Sequence, residues 1–361
     1  MRTNLADGYA RAMPDFTEAI TFAQAHEVAW PRDPHKDPAR WGVHHDDPPP
    51  FNRLRGPVHT RGGVSGVIRV AGREVAAWGE PDRADLTFSV AKTYLALLAG
   101  LAQMRGLIDA DETIASRLPG IGFDDAHNRA ITWAHMLEQT SEWRGSCFGM
   151  PDQVDHNRRV SHDPEPPQGR KGEPRALQAP GSYWEYNDVR INQLSLALLH
   201  VFRRPLPDVF QEAILRPLGA GQDFRWAGYD DAWVDIAGQR MQSVPGGTHW
   251  GAGVSISARD QARIGQLLLD GGRHAGGALL PAEWVARMQQ PCAIAPFYGR
   301  LTWLNRDGAM FPDASPQSWF MVGAGGHYVW MDPAHQAVVV VRWIDPAHSG
   351  GFVRLAAQAL A

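Results

Sequence analysis

Residues 88–101 read FSVAKTYLALLAGL, an apolar run of helical length whose one charged residue is Lys92. The chain has three lysines, and the other two, Lys36 and Lys171, lie in polar segments rich in Pro and Gly. An ammonium group inside a buried helix loses its hydration, which favours the neutral amine. We therefore predict a buried helix here, with a lysine that can exchange a proton.

Ser89 stands three residues before Lys92, so both side chains share one face of this helix. A hydroxyl beside a neutral amine is an activated nucleophile. A lysine that merely reaches towards solvent near an unrelated serine would give the same short pattern. The tetrapeptide alone leaves both interpretations open.

The chain has 361 residues, of which 44% are hydrophobic and 20% charged, with a net charge of −4. This is the composition of an ordinary globular protein, long enough for two structural regions. It has no basic stripe, which argues against nucleic acid as a partner. No run approaches about 18 apolar residues, so we predict neither a membrane-spanning helix nor a membrane partner.

Other features point to ordinary protein chemistry. Residues 1–14 lack a long apolar run behind basic residues, so we expect no signal peptide and a cytoplasmic protein. Cys147 and Cys292 lie far apart and indicate free buried thiols. His44-His45-Asp46-Asp47 is more typical of a solvated turn than of a metal site, since adjacent ligands rarely converge on one ion. We expect no metal and no cofactor, and the oligomeric state stays open.

Hydrophobic periodicity and turn residues predict the elements of the chain. The predicted helices are 15–28, much of 107–145, 189–203, 258–270 and 350–360, and the predicted strands are Val64–Val70, Glu74–Trp78, Tyr328–Met331 and Val338–Trp343. Residues 146–180 are polar and lack periodicity, which is typical of a functional lid or a mobile loop. Strands lie at both ends of the chain, so we predict one sheet assembled from both ends. We expect an α/β (α+β) protein, with a sheet domain over 1–85 and 240–361 and a mainly helical inserted domain over 86–239.

Two further segments suggest acyl-transfer chemistry. Tyr186 directly precedes a buried helix, where its phenol could relay a serine proton or simply pack as a core tyrosine. Gly323-Ala324-Gly325-Gly326 opens a predicted strand, where glycines mark either close approach of a ligand or a simple turn. Acyl transfer needs two N–H donors aimed at the oxyanion, and we expect one from Ser89 and one from this strand edge.

The order of these motifs resembles that of the penicillin-recognising serine hydrolase superfamily. The branch comprises class C β-lactamases, D-alanyl-D-alanine carboxypeptidases, β-lactamase-like esterases and 6-aminohexanoate-dimer hydrolases. Three further segments carry the likeness, namely 131–141, 251–272 and 327–341. The resemblance covers about residues 60–345 and implies a β-lactamase/transpeptidase-like fold, with an antiparallel sheet flanked by helices.

The resemblance also implies residue roles. Ser89 would be the acylated nucleophile, Lys92 its proton acceptor, and Tyr186 the second base and the acid for the leaving group. The third motif, Lys-Thr-Gly in the family, aligns with residues 321–323. The second oxyanion donor would then be the Ala324 N–H, with Gly323 and Gly325 around it.

Two departures from the family pattern bear on the substrate. The family's Tyr-x-Asn ends in Asp188, and the third-motif lysine, which in the β-lactam and peptidoglycan enzymes helps to hold a substrate carboxylate, is replaced by Met321. This favours a small ester or amide without that carboxylate. The alternatives are β-lactamase or D-Ala-D-Ala carboxypeptidase activity, or a catalytically silent binding relative. Further candidates for lining the cleft are Trp184, His249, Trp250 and His327, although each could equally be a packing residue.

Overall fold

The computed structural model describes residues 14–160, 163, 166–247 and 250–361. The helices within these residues are α1 (Thr17–Ala25), α2 (Val90–Met104), α3 (Ile114–Arg117), α4 (Trp133–Leu137), α5 (Asp188–Phe202), α6 (Leu206–Phe210), α7 (Ala258–Leu269), α8 (Ala282–Met288) and α9 (Ser349–Leu360). The strands are β1 (Ser65–Val70), β2 (Arg73–Trp78), β3 (Asp85–Leu86), β4 (Ser146–Cys147), β5 (Met150–Pro151), β6 (Arg225–Ala227), β7 (Trp233–Ile236), β8 (Gln239–Gln242), β9 (Gly253–Ile256), β10 (Arg273–His274), β11 (Gly277–Ala278), β12 (Trp303–Leu304), β13 (Trp319–Gly323), β14 (His327–Asp332) and β15 (Ala337–Arg342).

The main sheet joins the two ends of the chain. Its six strands run in the order β12-β13-β14-β15-β1-β2, and each neighbouring pair is antiparallel. The junction is the ladder between β1 and β15, which runs from Ser65 opposite Arg342 to Val70 opposite Ala337. All six residues of β15 are buried, as expected of a strand covered on both faces. The predicted sheet from both ends of the chain is therefore confirmed, while the two domain boundaries stay a prediction.

Helix α2 lies in the interior. Of its 15 residues 13 are buried, and the buried set includes Lys92. The strand pair before it sets its position, because Thr87 donates from both its N–H and its hydroxyl to the carbonyl of Val254 on β9. The helix predicted over 88–101 is thus present, with Ser89 as its N-cap residue.

The sequence prediction was wrong for residues 107–145. Apart from one short 3-10 turn, only α3 and α4 are helical in this range. Gln139 and Glu142 adopt left-handed backbone angles, with φ of 59° and 48°, which no α-helix permits. Some backbone carbonyls in this range accept hydrogen bonds from side chains instead of from helical N–H groups. Asn128 donates to the carbonyls of Gly122 and Arg144.

The glycine-rich segment also differs from the prediction. Gly323 ends β13 rather than opening a strand, and the following residues form a tight turn into β14. Gly325 and Gly326 take φ of 77° and 75° in this turn, a region that favours glycine. No helix of the described residues is long and apolar enough to cross a bilayer.

Candidate active site

Ser89 is presented by a strained turn at the start of α2. Phe88, directly before it, has φ of 51°, an arrangement that costs a non-glycine residue about 1–3 kcal/mol. The Phe88 ring is enclosed by aromatic neighbours, with ring centroids 5.7 Å from Trp30, 5.8 Å from Trp250 and 6.0 Å from Trp343. This packing holds the turn, so the half-buried Ser89 side chain has a fixed backbone beneath it.

Lys92 reaches back to Ser89 as the spacing predicts. Its Nζ lies 2.8 Å from Ser89 Oγ, and its side chain is 2% exposed. The same Nζ lies 2.5 Å from Asp188 Oδ1, and this carboxylate is equally buried. Burial alone favours the neutral amine, but a carboxylate at this distance favours the ammonium form. Lys92 therefore has both a proton donor to act on and a counter-ion.

Asp188 is fixed by the start of α5. Asn187 caps this helix by accepting the Arg190 N–H, and its own side chain donates to the carbonyl of Asp152. The Asp188 N–H donates to Asp155 Oδ2 at 2.7 Å. The carboxylates of Asp188 and Asp155 thus both lie at the N-terminus of α5, where the helix dipole favours negative charge.

Six side chains of alternating charge, which we call the ion chain, extend from Lys92 away from Ser89. They are Lys92, Asp188, Arg158, Asp155, Lys171 and Asp47. Arg158 lies 2.6 Å from Asp188 and 3.5 Å from Asp155, and Lys171 lies 3.4 Å from Asp155 and pairs with Asp47. Burial works against the charge of Arg158, but Asp188 and Asp155 outweigh it and raise the pKa of the guanidinium.

Tyr186 lies beside Lys92 and Arg158, with its ring facing both cations. Its ring centroid is 4.6 Å from Lys92 Nζ and 5.2 Å from the guanidinium carbon of Arg158. Within the described residues its hydroxyl forms no hydrogen bond with Ser89 or Lys92. The ring also packs against Trp303 and Tyr298, and burial raises the pKa of the Tyr298 phenol well above its usual value.

The glycine-rich turn lies next to the nucleophile segment. A Cβ on Gly323 would collide with the carbonyl oxygen of Thr87, two residues before Ser89, so only glycine permits this approach. Among the residues described, the backbone N–H groups of Ser89 and Ala324 donate to no protein acceptor. The two segments named by the sequence are therefore neighbours, and Gly325 lies in the turn between them and β14.

Met321 and His327 are both buried. Met321 is 1% exposed and lies opposite Val329, on the side of the sheet that packs against α7. His327 is 0% exposed and packs edge-on against Trp343. Burial, together with nearby arginines, holds the pKa of His327 well below its usual range. His327 is therefore a neutral packing residue rather than an open cleft residue.

Of the two tryptophan candidates, Trp184 lines a cavity and Trp250 lies in the core. Trp250 is 1% exposed and packs beneath Phe88, so it does not line an open cleft. Trp184 lies in the wall of a cavity of about 300 Å³, together with Arg158, Phe297 and Ile294. The centroid of its ring lies 6.3 Å from the centroid of the Tyr186 ring. This partly aromatic cavity therefore lies beside Tyr186. His249 lies outside the described residues.

The loop over 146–180 is anchored to α5 by a second set of buried ions, which we call the Glu142 cluster. Glu142 accepts from Arg175 and Arg190, and these two arginines also contact Glu185. Arg190 further contacts Asp152 at 3.3 Å. The described parts of this loop, which include Arg158 and Lys171, therefore lie against the site through buried ion pairs.

Sequence reasoning missed most of the ion chain. Arg158 and Asp155 lie three residues apart, but their other partners, Asp188 and Lys171, are distant in the sequence. Asp47 belongs to the segment interpreted as a solvated turn, whereas its side chain is buried. Lys171 could have been suspected, because lysine is scarce in this chain. Its side chain is 17% exposed, although it lies in a segment that reads as a polar loop.

Comparisons with known proteins identify the family of this chain. A family model described as Beta-lactamase matches residues 58–344. The 6-aminohexanoate-dimer hydrolase of Paenarthrobacter ureafaciens is 30% identical over 109 residues, a match that covers 26% of either chain, so this chain spans about a quarter of that relative's length.

Solved structures confirm the predicted fold class. A family VIII carboxylesterase has a TM-score of 0.61 at 17% identity, over 97% of this chain and 99% of that one. A penicillin-binding protein homologue from Caulobacter crescentus has a TM-score of 0.58 at 17% identity, over 82% of this chain and 92% of that one. At such identities the likeness concerns the fold alone.

Proposed function

The chain belongs to the beta-lactamase family of serine hydrolases, and we propose that it cleaves a small ester or amide through an acyl-enzyme on Ser89. The observation that carries the proposal is the 2.8 Å hydrogen bond between Lys92 Nζ and Ser89 Oγ at the start of a buried helix. Acyl transfer needs a nucleophile within hydrogen-bond reach of a base that a third group orients. Asp188 is that third group.

In the first step Ser89 Oγ attacks the carbonyl carbon while its proton moves to the Lys92 amine. The new C–O bond gives a tetrahedral oxyanion, which collapses, breaks the bond to the leaving group and leaves an ester on Ser89. The departing alcohol or amine takes a proton from the Tyr186 phenol, and Tyr186 regains one from the Lys92 ammonium; we assign this role to Tyr186 because its ring lies against Lys92. Water then attacks the ester carbonyl and gives a proton to the Lys92 amine, the bond to Ser89 Oγ breaks, Ser89 takes the proton back, and the carboxylic acid is released.

The oxyanion would be held by two backbone N–H groups, those of Ser89 and Ala324. Two facts support this assignment. Gly323 packs directly on Thr87, and the two amides donate to no acceptor within the described part of the chain. Removing one such donor in other hydrolases costs on the order of 10²–10³ in rate.

The substrate class follows from the walls of the site. Met321 supplies no cation where the family carries lysine, and the cavity beside Tyr186 is lined in part by Trp184, Phe297 and Ile294. These features support a substrate with an apolar group and without a recognised carboxylate. The named relatives include a carboxylesterase and a hydrolase of an aminohexanoate dimer, and we assign esters and amides to this chain on the same grounds.

The direct test is covalent labelling with a fluorophosphonate, read by intact mass. We expect the unmodified protein to gain one label, and Ser89→Ala to lose labelling and at least about 10³-fold of its esterase activity. Ser116→Ala, which removes an exposed hydroxyl, is the matched control and should behave as the unmodified protein. Full activity in Ser89→Ala would show that the proposal is wrong, and a complete lack of labelling in the unmodified protein would favour a silent binding relative.

The second candidate is β-lactam or D-Ala-D-Ala peptide hydrolysis. Arg158 favours it, because this cation lies in the cavity wall, although two carboxylates already neutralise it. A charged hydrogen bond to a substrate carboxylate is worth roughly 10- to 100-fold. We expect kcat/KM for short p-nitrophenyl esters to exceed that for nitrocefin by at least this factor, and efficient nitrocefin turnover would reverse the assignment.

A further inference from the structure

We propose that Asp188 is the positioning residue of the proton relay: it forms a Ser89–Lys92–Asp188 triad, and Arg158 with the rest of the ion chain holds its carboxylate in place. Asp188 acts through Lys92 rather than on the substrate. The inference rests on the proposed function, because it takes Lys92 as the acceptor of the Ser89 proton.

The geometry fixes the carboxylate on both sides. Oδ1 lies 2.5 Å from Lys92 Nζ, and Oδ2 lies 2.6 Å from Arg158. The Asp188 side chain is 1% exposed, and its own N–H is held by Asp155. Gly247 closes a further side, because a Cβ there would lie 2.7 Å from Asp188 Oδ1 and would collide with Lys92 Nζ. The carboxylate therefore has no room to rotate away from the amine.

A carboxylate in this position does what an amide cannot do. When Ser89 gives its proton to Lys92, an ammonium forms, and an adjacent anion stabilises that product of proton transfer. This is the role that the aspartate has towards histidine in Ser-His-Asp hydrolases. An asparagine at this position could accept from the amine but could not neutralise the ammonium, so Asp188 adds a negative charge that the family's motif lacks.

Arg158 has the opposite effect on the same amine. The ion chain contains three basic and three acidic groups, so it is neutral when Lys92 is protonated and carries one negative charge when Lys92 is neutral. Because the Asp188 carboxylate is also paired with Arg158, it attracts the Lys92 ammonium less strongly than an unshared carboxylate would. Asp188 and Arg158 therefore act on the charged form of Lys92 in opposite directions.

Every element around the relay contributes a charged or titratable group. Besides Asp188, the described neighbours are Tyr186 before α5, Tyr298 from the segment before β12, and the remaining members of the ion chain, which are Arg158, Asp155 and Lys171 from the loop and Asp47 from the N-terminal segment. The members of the chain beyond Arg158 act at a distance, so their influence on the amine is smaller.

The test is the rate of the p-nitrophenol burst of an activated ester, measured against pH for Asp188→Asn and Arg158→Gln. Asp188→Asn keeps the shape and removes the anion. We expect its plateau rate to fall roughly 10- to 100-fold and its acidic limb to move about 1–3 pH units lower, because the ammonium has lost its counter-ion. Arg158→Gln should move the acidic limb to higher pH, and Arg158→Lys should restore most of the original profile.

The matched control is Arg170→Gln, an identical change in the same loop at a side chain that is 91% exposed, and its profile should be unchanged. Should Asp188→Asn fail to fold, Lys171→Met offers a remote probe. It removes a positive charge near Asp155. The acidic limb of the pH–rate profile should move in the same direction as in Arg158→Gln, but by fewer pH units.

Two outcomes overturn the inference. One is an Asp188→Asn profile that superimposes on the original after scaling, as a merely structural residue would give. The other is that the acidic limbs of the Asp188→Asn and Arg158→Gln profiles move in the same direction along the pH axis. Either result with an inactive Ser89→Ala leaves the proposed function standing, whereas an active Ser89→Ala removes both.

Discussion

Lys92 combines two opposing influences in one side chain. It is buried in the most apolar helix of the chain, yet it lies 2.5 Å from a carboxylate that is paired again with Arg158. A buried ammonium without a partner would be strongly disfavoured, whereas this one is neutralised. The side chain can therefore remain in place through a cycle in which it gains and loses a proton.

Lys92→Arg should be nearly as damaging as Lys92→Ala. A guanidinium stays protonated at any working pH, so it keeps the positive charge but cannot accept the serine proton. We expect both variants to lose at least about 10³-fold in kcat, measured with a p-nitrophenyl ester. A near-normal kcat in Lys92→Arg would mean that the lysine serves only as a positive charge.

Gly247→Ala should reduce activity more than stability. The added methyl group would collide with Lys92 Nζ, the end of a flexible side chain that can move away from Ser89. We expect kcat to fall by about 10-fold or more, since small misplacements of catalytic groups cost up to about 10²-fold, while the thermal midpoint changes little.

Gly350→Ala is the control for that substitution, because a Cβ at Gly350 meets no atom within 4 Å. It should leave kcat unchanged. Equal kcat values for Gly247→Ala and the unmodified protein would show that the space beside Lys92 is not needed.

Among the elements, the segment over 146–180 contributes several charged side chains to the site, although its described residues hold only the short strands β4 and β5 and one 3-10 turn. Its attachment is electrostatic, and Glu142 is the centre of the attachment: it is 0% exposed and accepts from Arg175, Arg190 and the Gln178 N–H. Burial raises the pKa of Glu142, but these donors outweigh it, so the net effect lowers that pKa below its usual value.

Glu142→Gln should therefore destabilise the protein in a pH-dependent way. A carboxyl whose pKa is lowered on folding stabilises the fold above its unfolded pKa, and this contribution is lost as the pH falls through the folded value. We expect a loss of about 3 kcal/mol near neutral pH, by urea unfolding, and a smaller difference in acid.

The same variant should also lower esterase activity, because the loop carries Arg158. Glu112→Gln, at an exposed carboxylate, is the control and should lie within about 0.5 kcal/mol of the unmodified protein. A Glu142→Gln protein with unchanged stability at neutral pH would show that the loop is held by its apolar contacts instead.

In the molecule as a whole, Arg342 connects the ends of the chain to its middle. It is 1% exposed on β15 and donates to Ser65 on β1, to the carbonyls of Glu80 and Arg83 before β3, and to that of Ile256 on β9. The segment from Glu80 to Arg83 leads into the turn that presents Ser89. The side chain of Arg342 therefore connects the two ends of the chain and also contacts the segment that leads to Ser89.

Arg342→Met should destabilise the whole fold, because it leaves several buried acceptors without a donor. We expect a loss of about 3–5 kcal/mol in urea unfolding. Arg354→Met, at an exposed arginine of α9, is the matched control. A value within about 0.5 kcal/mol of the unmodified protein for Arg342→Met would contradict this view of the core.

Local rules were sufficient to place Ser89 and Lys92 side by side. The three-residue spacing of Ser89 and Lys92 gives one helix face whatever surrounds the helix, and the apolar residues around Lys92 predict its burial. The alternation and turns at the two chain ends likewise predict strands, and in the fold β1 and β15 pair with each other. The departures at Asp188 and Met321 were visible in the sequence. Met321 already indicated a missing cation for a substrate carboxylate, whereas the contact of Asp188 with Lys92 was not predicted.

Long-range packing determined the rest. The counter-ion of Lys92 belongs to another helix, and the arginine, the second lysine and the remaining carboxylates of the ion chain come from a loop and from the N-terminal segment. Trp250 and His327 are core residues because of what packs on Phe88 and Trp343, which their own neighbours in sequence do not show. Electrostatic pairing depends on distances of a few ångströms between residues far apart in the chain, and only the folded molecule specifies those distances.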